Sequence, residues 1–444
     1  MVALAPRPRS LDRSRRPFEL LTALLCFGLL MLWPGMSMGQ AFPRGDEVAV
    51  NSFTTGFQEY TTVASGADGS FVVVWQSDYQ DGDADGLFLR HFDALGNPTA
   101  DEVQINQFTT QDQTDPDVAR LLDGTFVVVW DSDLQDGDAR GIFGRRFDAT
   151  GQPTGDEFLV NAITTGDQND PVVAPGADGG FLVAWEDLRQ PPFDEDVVVR
   201  RFDAAGQGVG VEMQVNNFSV DDQEDIDLAA DGSGGFVVSW ESELQDGSYD
   251  SVVVRRLDAT GTPVADEQVV NTFTTGDQDT PDVAVAPDGS FVVTWEDDTA
   301  DSSVDGVFGR WFDAAGTPTT GAFQIDADPG RQMNPRVAID SQGRAVVVWD
   351  SLDQDAAASI GVVLTVFDGA GTPLSSEQIV NTTVAGDQFY PHLALDAEDR
   401  FLVVWESSSS DGSDLGLVAR SYELAFFTDG FESGDTTAWS SVTP

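Results

Sequence analysis

The sequence has no lysine, one cysteine and two histidines among its 444 residues. Each shortage closes off a class of chemistry. Cys26 lies inside the apolar run 20–33, so the chain beyond it has no thiol for a disulfide, a thiolate metal ligand or a cysteine nucleophile. His91 and His392 stand far apart, with no zinc-ligand spacing and no nucleophile motif beside either. Every cation is an arginine, and 76 acids against 22 bases give a net charge of −54. Such a surface repels nucleic acid and anionic membrane. Beyond residue 33 there is no apolar run of membrane-spanning length, and the repeated body has no helical hydrophobic period.

The first 39 residues have a composition of their own. Five arginines between Arg7 and Arg16 precede "LLTALLCFGLLMLW" (20–33), and small residues follow around Ser37, Gly39 and Ala41. That order predicts an export signal over 1–39, with cleavage near Gly39 or Ala41 and a secreted, extracellular or periplasmic product. "SRRPF" (14–18) resembles a twin-arginine signal, so both Sec and Tat export stay open. Removing this segment takes away five arginines and two acids, so −54 becomes −57.

Tryptophan sets the architecture. Trp75, Trp130, Trp185, Trp240, Trp295, Trp349 and Trp405 are spaced by 55, 55, 55, 55, 54 and 56 residues, each in a phrase such as "DGSFVVTWED". A period of this size marks a solenoid, a propeller or an array. The unit 266–319 reads as short strands, "EQVVN", "PDVAVA", "FVVTWE" and "VFGRWFD", bounded by Gly, Pro, Asp and Asn. Four strands in each of seven units predict an all-β, seven-bladed β-propeller over 45–422. If "PDVAVA" is innermost, "EVAVN" (47–51) arrives before its own blade and is expected to complete the last one, closing the ring.

The unit pattern, E-x-x-V-N-x-x-T-T-x-D-Q followed by D-G-x-F-V-V-x-W and R-R-F-D, resembles repeats of secreted bacterial β-propeller proteins and of large RTX-type adhesins. The resemblance covers 45–422 and implies an extracellular interaction role without a catalytic motif. The tail 423–444, with "FTDGFESGDTTAWS", resembles a short C-terminal motif of many secreted bacterial proteins.

Several residues qualify as functional. In "QDGDADG", Asp81, Asp83 and Asp85 alternate as calcium ligands do, although no late acid follows and an Asp/Gly turn explains the same residues. Cofactors are therefore none, or calcium. The residue after the repeated proline varies around the ring as Thr62, Asp117, Val172, Asp227, Asp282, Arg336 and His392. Asp117, Asp227, Asp282, Arg336 and His392 are expected at the channel mouth as a ligand pocket. The glutamine repeated from Gln58 to Gln388 is read as a structural bridge between blades. The arginines Arg90, Arg145, Arg200, Arg255, Arg310 and Arg420 are read as cross-strand partners of the acid after each tryptophan.

The function the sequence favours is a secreted, non-enzymatic, monomeric propeller that binds an extracellular protein, glycan or cation on an acidic loop face, without nucleic acid or membrane insertion. A channel-mouth hydrolase of glycosides or esters using the ring carboxylates is the alternative, and a purely structural surface module is a third.

Overall fold

The computed structural model describes residues 39–424 apart from 67, 189–193, 299–304, 329, 356–358, 409, 411 and 413–414. The export signal read over 1–39, all but Gly39, and the tail read over 423–444, all but its first two residues, lie outside the described residues.

Among the described residues there is no helix; seven antiparallel sheets form a seven-bladed β-propeller. In the blade built around Trp295, Gln278–Val285 is innermost, followed outward by Phe291–Asp297, Gly306–Phe312 and the two-residue strand Phe323–Gln324. The inner strands contact one another in sequence, and Gln388–Leu395 of the last blade meets Gln58–Ser65 of the first. The expected closure is present. Val48 and Ala49 pair with Ala419 and Val418, and Ala41–Pro43 also joins that sheet, so N-terminal strands complete the last blade.

Alternation along the second strand explains the core. Because successive side chains point to opposite faces of a sheet, one set packs against the preceding blade and the other against the following one. Val72, Val74, Leu87 and Leu89 of the first blade thus share a cluster with Trp130, Phe126 and Phe143 of the second. All seven repeat tryptophans are fully buried in such seams.

Polar groups tie the same seams. Asn106, just past an outer strand, donates to Gln113 Oε1 at 2.8 Å and accepts the Leu87 amide at 2.9 Å. Gln113 also donates to the Thr110 and Gln111 carbonyls, so the repeated glutamine fastens the loop from one blade to the next. The arginine reading is corrected. Arg145 pairs in register with Val128 and sends Nη1 to the Ile105 carbonyl of the preceding blade at 2.7 Å. Arg90, Arg310 and Arg420 reach Val50, Val270 and Val380 in the same way. These guanidinium groups are ties to a neighbouring blade's carbonyl, not cross-strand partners of the acid after tryptophan.

Candidate active site at the channel mouth

Every inner strand breaks register two residues before its channel position. In the second blade the shift lies between Thr114 and Asp117, and the bulged Asp115 has φ +50°. Pro116 follows; proline has no amide to give to a ladder, which favours a break there. A bulge turns its side chain out of the regular alternation. The seven bulged residues form an outer ring: Asp115, Asp170 and Asp225 on blades two to four, Thr280 and Asn334 on five and six, Tyr390 and Tyr60 on seven and one, all with φ between +48° and +52°.

Four amides of the ring are held from behind by the acid after a tryptophan of the preceding blade, Glu296 among these acids with the Asn334 amide at 3.3 Å. Glu186 Oε1 accepts the Asp225 amide at 2.8 Å, Glu406 Oε1 accepts the Tyr60 amide at 2.8 Å, and Asp350 Oδ2 accepts the Tyr390 amide at 3.2 Å. These carboxyls are enclosed by protein. Burial pushes Glu406 and Asp350 up to about 8 and raises Glu186 well above the usual carboxylate range.

The expected channel residues form a second, deeper ring. A cavity of about 470 Å³ is lined by Asp117, Asp227, Asp282, Arg336 and His392 together with the outer-ring residues Tyr60, Asp115, Asp170 and Asp225. The deep carboxylates grip the next blade. Asp117 accepts the Val173 amide at 2.7 Å, Asp227 that of Val283 at 2.7 Å, and Asp282 that of Val337 at 2.5 Å. Burial raises all three, Asp117 to about 6. Arg336 donates Nε to His392 Nε2 at 3.3 Å and approaches Asp282 at 3.8 Å. Burial first, and the Arg336 charge second, hold His392 neutral, well below the ordinary imidazole value.

The two rings differ in freedom. The deep acids are committed to backbone amides, whereas Asp170 and Asp225 keep exposed surface at the mouth. Asp115 is pushed up to about 8, first by burial and then by the charges of Asp170 and Asp131, so it carries a proton at neutral pH. The mouth therefore sets the proton-bearing Asp115 beside the exposed side chain of Asp170 on the adjoining blade.

The calcium candidates lie elsewhere. Asp81 Oδ2 accepts from Asn106 Nδ2 at 2.8 Å, and its Oδ1 accepts the Asp83 amide at 3.3 Å. Asp83 faces the Gln111 amide at 3.4 Å, and burial, then Asp78, push Asp85 up to about 7. Asp136, Asp246 and Asp355 repeat the bond of Asp81 to the asparagine, so this acid anchors the loop in four blades. Among the described residues, the acids whose ligand atoms converge are Glu241, Asp250 and Asp279, all within 4.8 Å of one another. Neither this group nor the outer ring was anticipated from sequence. A residue that varies just before the repeated proline was the available signal for the ring.

No protein-family model and no curated protein matches the chain. Solved structures do. A protein of unknown function from Dyadobacter fermentans is 12% identical, covering 87% of this chain and 99% of its own, with a TM-score of 0.51. An α-L-arabinanase of Penicillium chrysogenum, complexed with arabinobiose, is 13% identical over 70% of this chain and 93% of its own, with a TM-score of 0.48. An α-L-arabinofuranosidase of Fusarium graminearum is 12% identical over the same shares, with a TM-score of 0.46. At these identities the likeness is one of fold.

The expectation of a non-enzymatic binder on an acidic loop face is overturned. Of the similar structures just named, the two with a stated activity are glycoside hydrolases, against the expectation of a non-enzymatic binder. The channel mouth gathers the outer-ring acids Asp115, Asp170 and Asp225 around one cavity.

Proposed function

We propose that the protein is a propeller hydrolase that cleaves glycosidic bonds at the mouth of its axial channel. The observation that carries this reading is the pairing of Asp115, proton-bearing near neutral pH, with the exposed Asp170 on the next blade. Glycoside hydrolysis uses a proton-bearing carboxyl and a second acid near the same bond, and Asp115 with Asp170 beside it is a candidate for such a pair. Asp115 gives its proton to the leaving glycosidic oxygen as the C–O bond breaks. Asp170 takes a proton from the water whose oxygen forms the new bond to the anomeric carbon. The deep ring, with Asp227 and Asp282, supports the wall from which these groups project.

The basic and apolar order of residues 1–39 supports an exported enzyme, and the likeness of the repeat to those of RTX-type adhesins supports an extracellular setting. The test is turnover on a panel of aryl glycosides and polysaccharides. Asp115→Asn and Asp170→Asn are each expected to lower the rate by about a hundredfold or more. A wild-type chain inactive across the panel, or variants that turn over unchanged, sinks the reading.

A further inference from the structure

The outer ring is a backbone position that suits some side chains and not others. At φ near +50°, Asp and Asn are tolerated because their short polar side chains bond locally, whereas bulky residues are outliers. Asp115, Asp170, Asp225 and Asn334 conform; the β-branched Thr280, at φ +48°, and the bulky Tyr60, at φ +49°, and Tyr390, at φ +50°, do not. Neither tyrosine is there to fill a core, since they are 56% and 52% exposed. Strain of this kind persists where the surroundings over-determine it, and it clusters at sites of function.

The surroundings do over-determine it. Glu406 holds the Tyr60 amide and Asp350 holds that of Tyr390, so both rings are aimed by buried carboxyls of the preceding blade. The Tyr390 ring also stands edge-on to Phe389, with centroids 5.3 Å apart and planes at 87°. The two tyrosines occupy equivalent places on blades seven and one, which adjoin across the closure of the ring. Tyr60 lines the same cavity as Asp115 and Asp170. The mouth is thus divided into an aromatic arc on blades seven and one and an acidic arc on blades two to four.

We infer that Tyr60 and Tyr390 form a stacking platform for the sugar rings of an uncharged glycan, and that this platform, with the acidic arc beside it, makes the site selective against acidic sugars. The inference rests on the hydrolase reading, in which Asp115 and Asp170 act on a bond of the glycan that the platform holds. A half-exposed phenol gives a flat apolar face to the C–H side of a sugar and keeps a polar tip in water. Uronates and other acidic sugars meet the exposed acids Asp170 and Asp225 at close range. Arg336 is the one arginine in the cavity lining, and it is already turned to His392 and Asp282.

Binding without turnover tests this separately from the chemistry. The full chain carrying Asp115→Asn is titrated calorimetrically with cello-, xylo-, manno-, arabino- and N-acetylchito-hexaose and with hexagalacturonate. At least one neutral hexasaccharide is expected to bind, Tyr60→Ala and Tyr390→Ala to weaken it about tenfold each, and the phenylalanine variants to retain it. Hexagalacturonate is expected not to bind. Unchanged melting curves confirm that the alanine variants are folded. Affinity indifferent to both tyrosines, hexagalacturonate bound as tightly as the neutral sugars, or no neutral hexasaccharide bound overturns the inference. Tyrosine-dependent binding in a wild-type chain with no turnover keeps the platform and removes the hydrolase.

Discussion

Glu406, on the last blade, accepts the backbone amide of Tyr60, on the first, at 2.8 Å. The carboxyl is buried and pushed up to about 8, and Asp350 is pushed to about 8 behind Tyr390 in the same way. The outer ring therefore leans on acids that the fold keeps protonated.

Stability should depend on pH with a maximum in the mildly acidic range. A carboxyl whose folded value is raised binds its proton more tightly in the native state than in the unfolded one. Its contribution is complete below the unfolded value and is lost as pH rises through about 8 for Glu406, Asp350 and Asp279. The turn aspartates act in the opposite sense. Asp148 and Asp288 are held low first by the hydroxyls of Thr150 and Ser290, so their contribution is present above the unfolded value and is lost as pH falls through the lower folded one. Melting temperature is expected to peak at about pH 4 to 5 and to fall from there as pH rises to about 8. A scan by calorimetry that rises over the alkaline half contradicts the assignment.

The seam between blades five and six should open before the others. Thr365 stands where the other blades carry the tying arginine, and Asp326 stands where they carry asparagine. Asp326 accepts the Val307 amide at 2.7 Å but has no amide of its own to give to Gln332, whose Oε1 takes the Trp349 indole instead. Hydrogen exchange is expected to be faster in Phe323–Gln324 and Gln332–Ile339 than in Val103–Gln104 and Gln113–Arg120. Equal protection at both seams argues against ties of this kind.

Trp130→Ala should cost about 3–5 kcal/mol, since a fully buried indole leaves a cavity between two blades that strands cannot collapse to fill. Denaturant unfolding measures it. A loss below about 1 kcal/mol means that the blades slide together after all.

Asp81→Ala should lower stability by about 1 kcal/mol in the presence of a chelator, because Asn106 loses an acceptor at 2.8 Å. Any further loss confined to calcium-containing buffer measures a metal contribution from Asp81, Asp83 and Asp85. An effect of the substitution seen only with calcium would falsify the anchoring role.

Architecture was legible because the repeated tryptophan marks one buried place per blade, and the register of "EVAVN" before the first unit already pointed to closure. The position of the deep ring was legible as well, since that place on the inner strand, after a proline in five of the seven units, varied around the ring. What sequence hid depends on contacts between blades. Arg145 and Ile105 lie 40 residues apart, and nothing in the local pattern distinguishes a tie to that carbonyl from a pair with an acid on the next strand. The outer ring was hidden by the bulge: a strict two-residue alternation assigns Asp115 and Asp117 the same face and gives no hint that φ turns positive between them.

The clasp between chain ends carries a consequence for how the molecule comes into being. Asn51 accepts the Leu417 amide at 2.8 Å across 366 residues, and Val48–Ala49 has its sheet partner in Gly416–Leu424. The earliest part of the ring to be synthesised must wait for nearly the last before it has anything to pair with. A nascent chain stopped short of Gly416 has a free N-terminal edge and an unfinished seventh blade, so completion of the ring is delayed until the strand Gly416–Leu424 has been made.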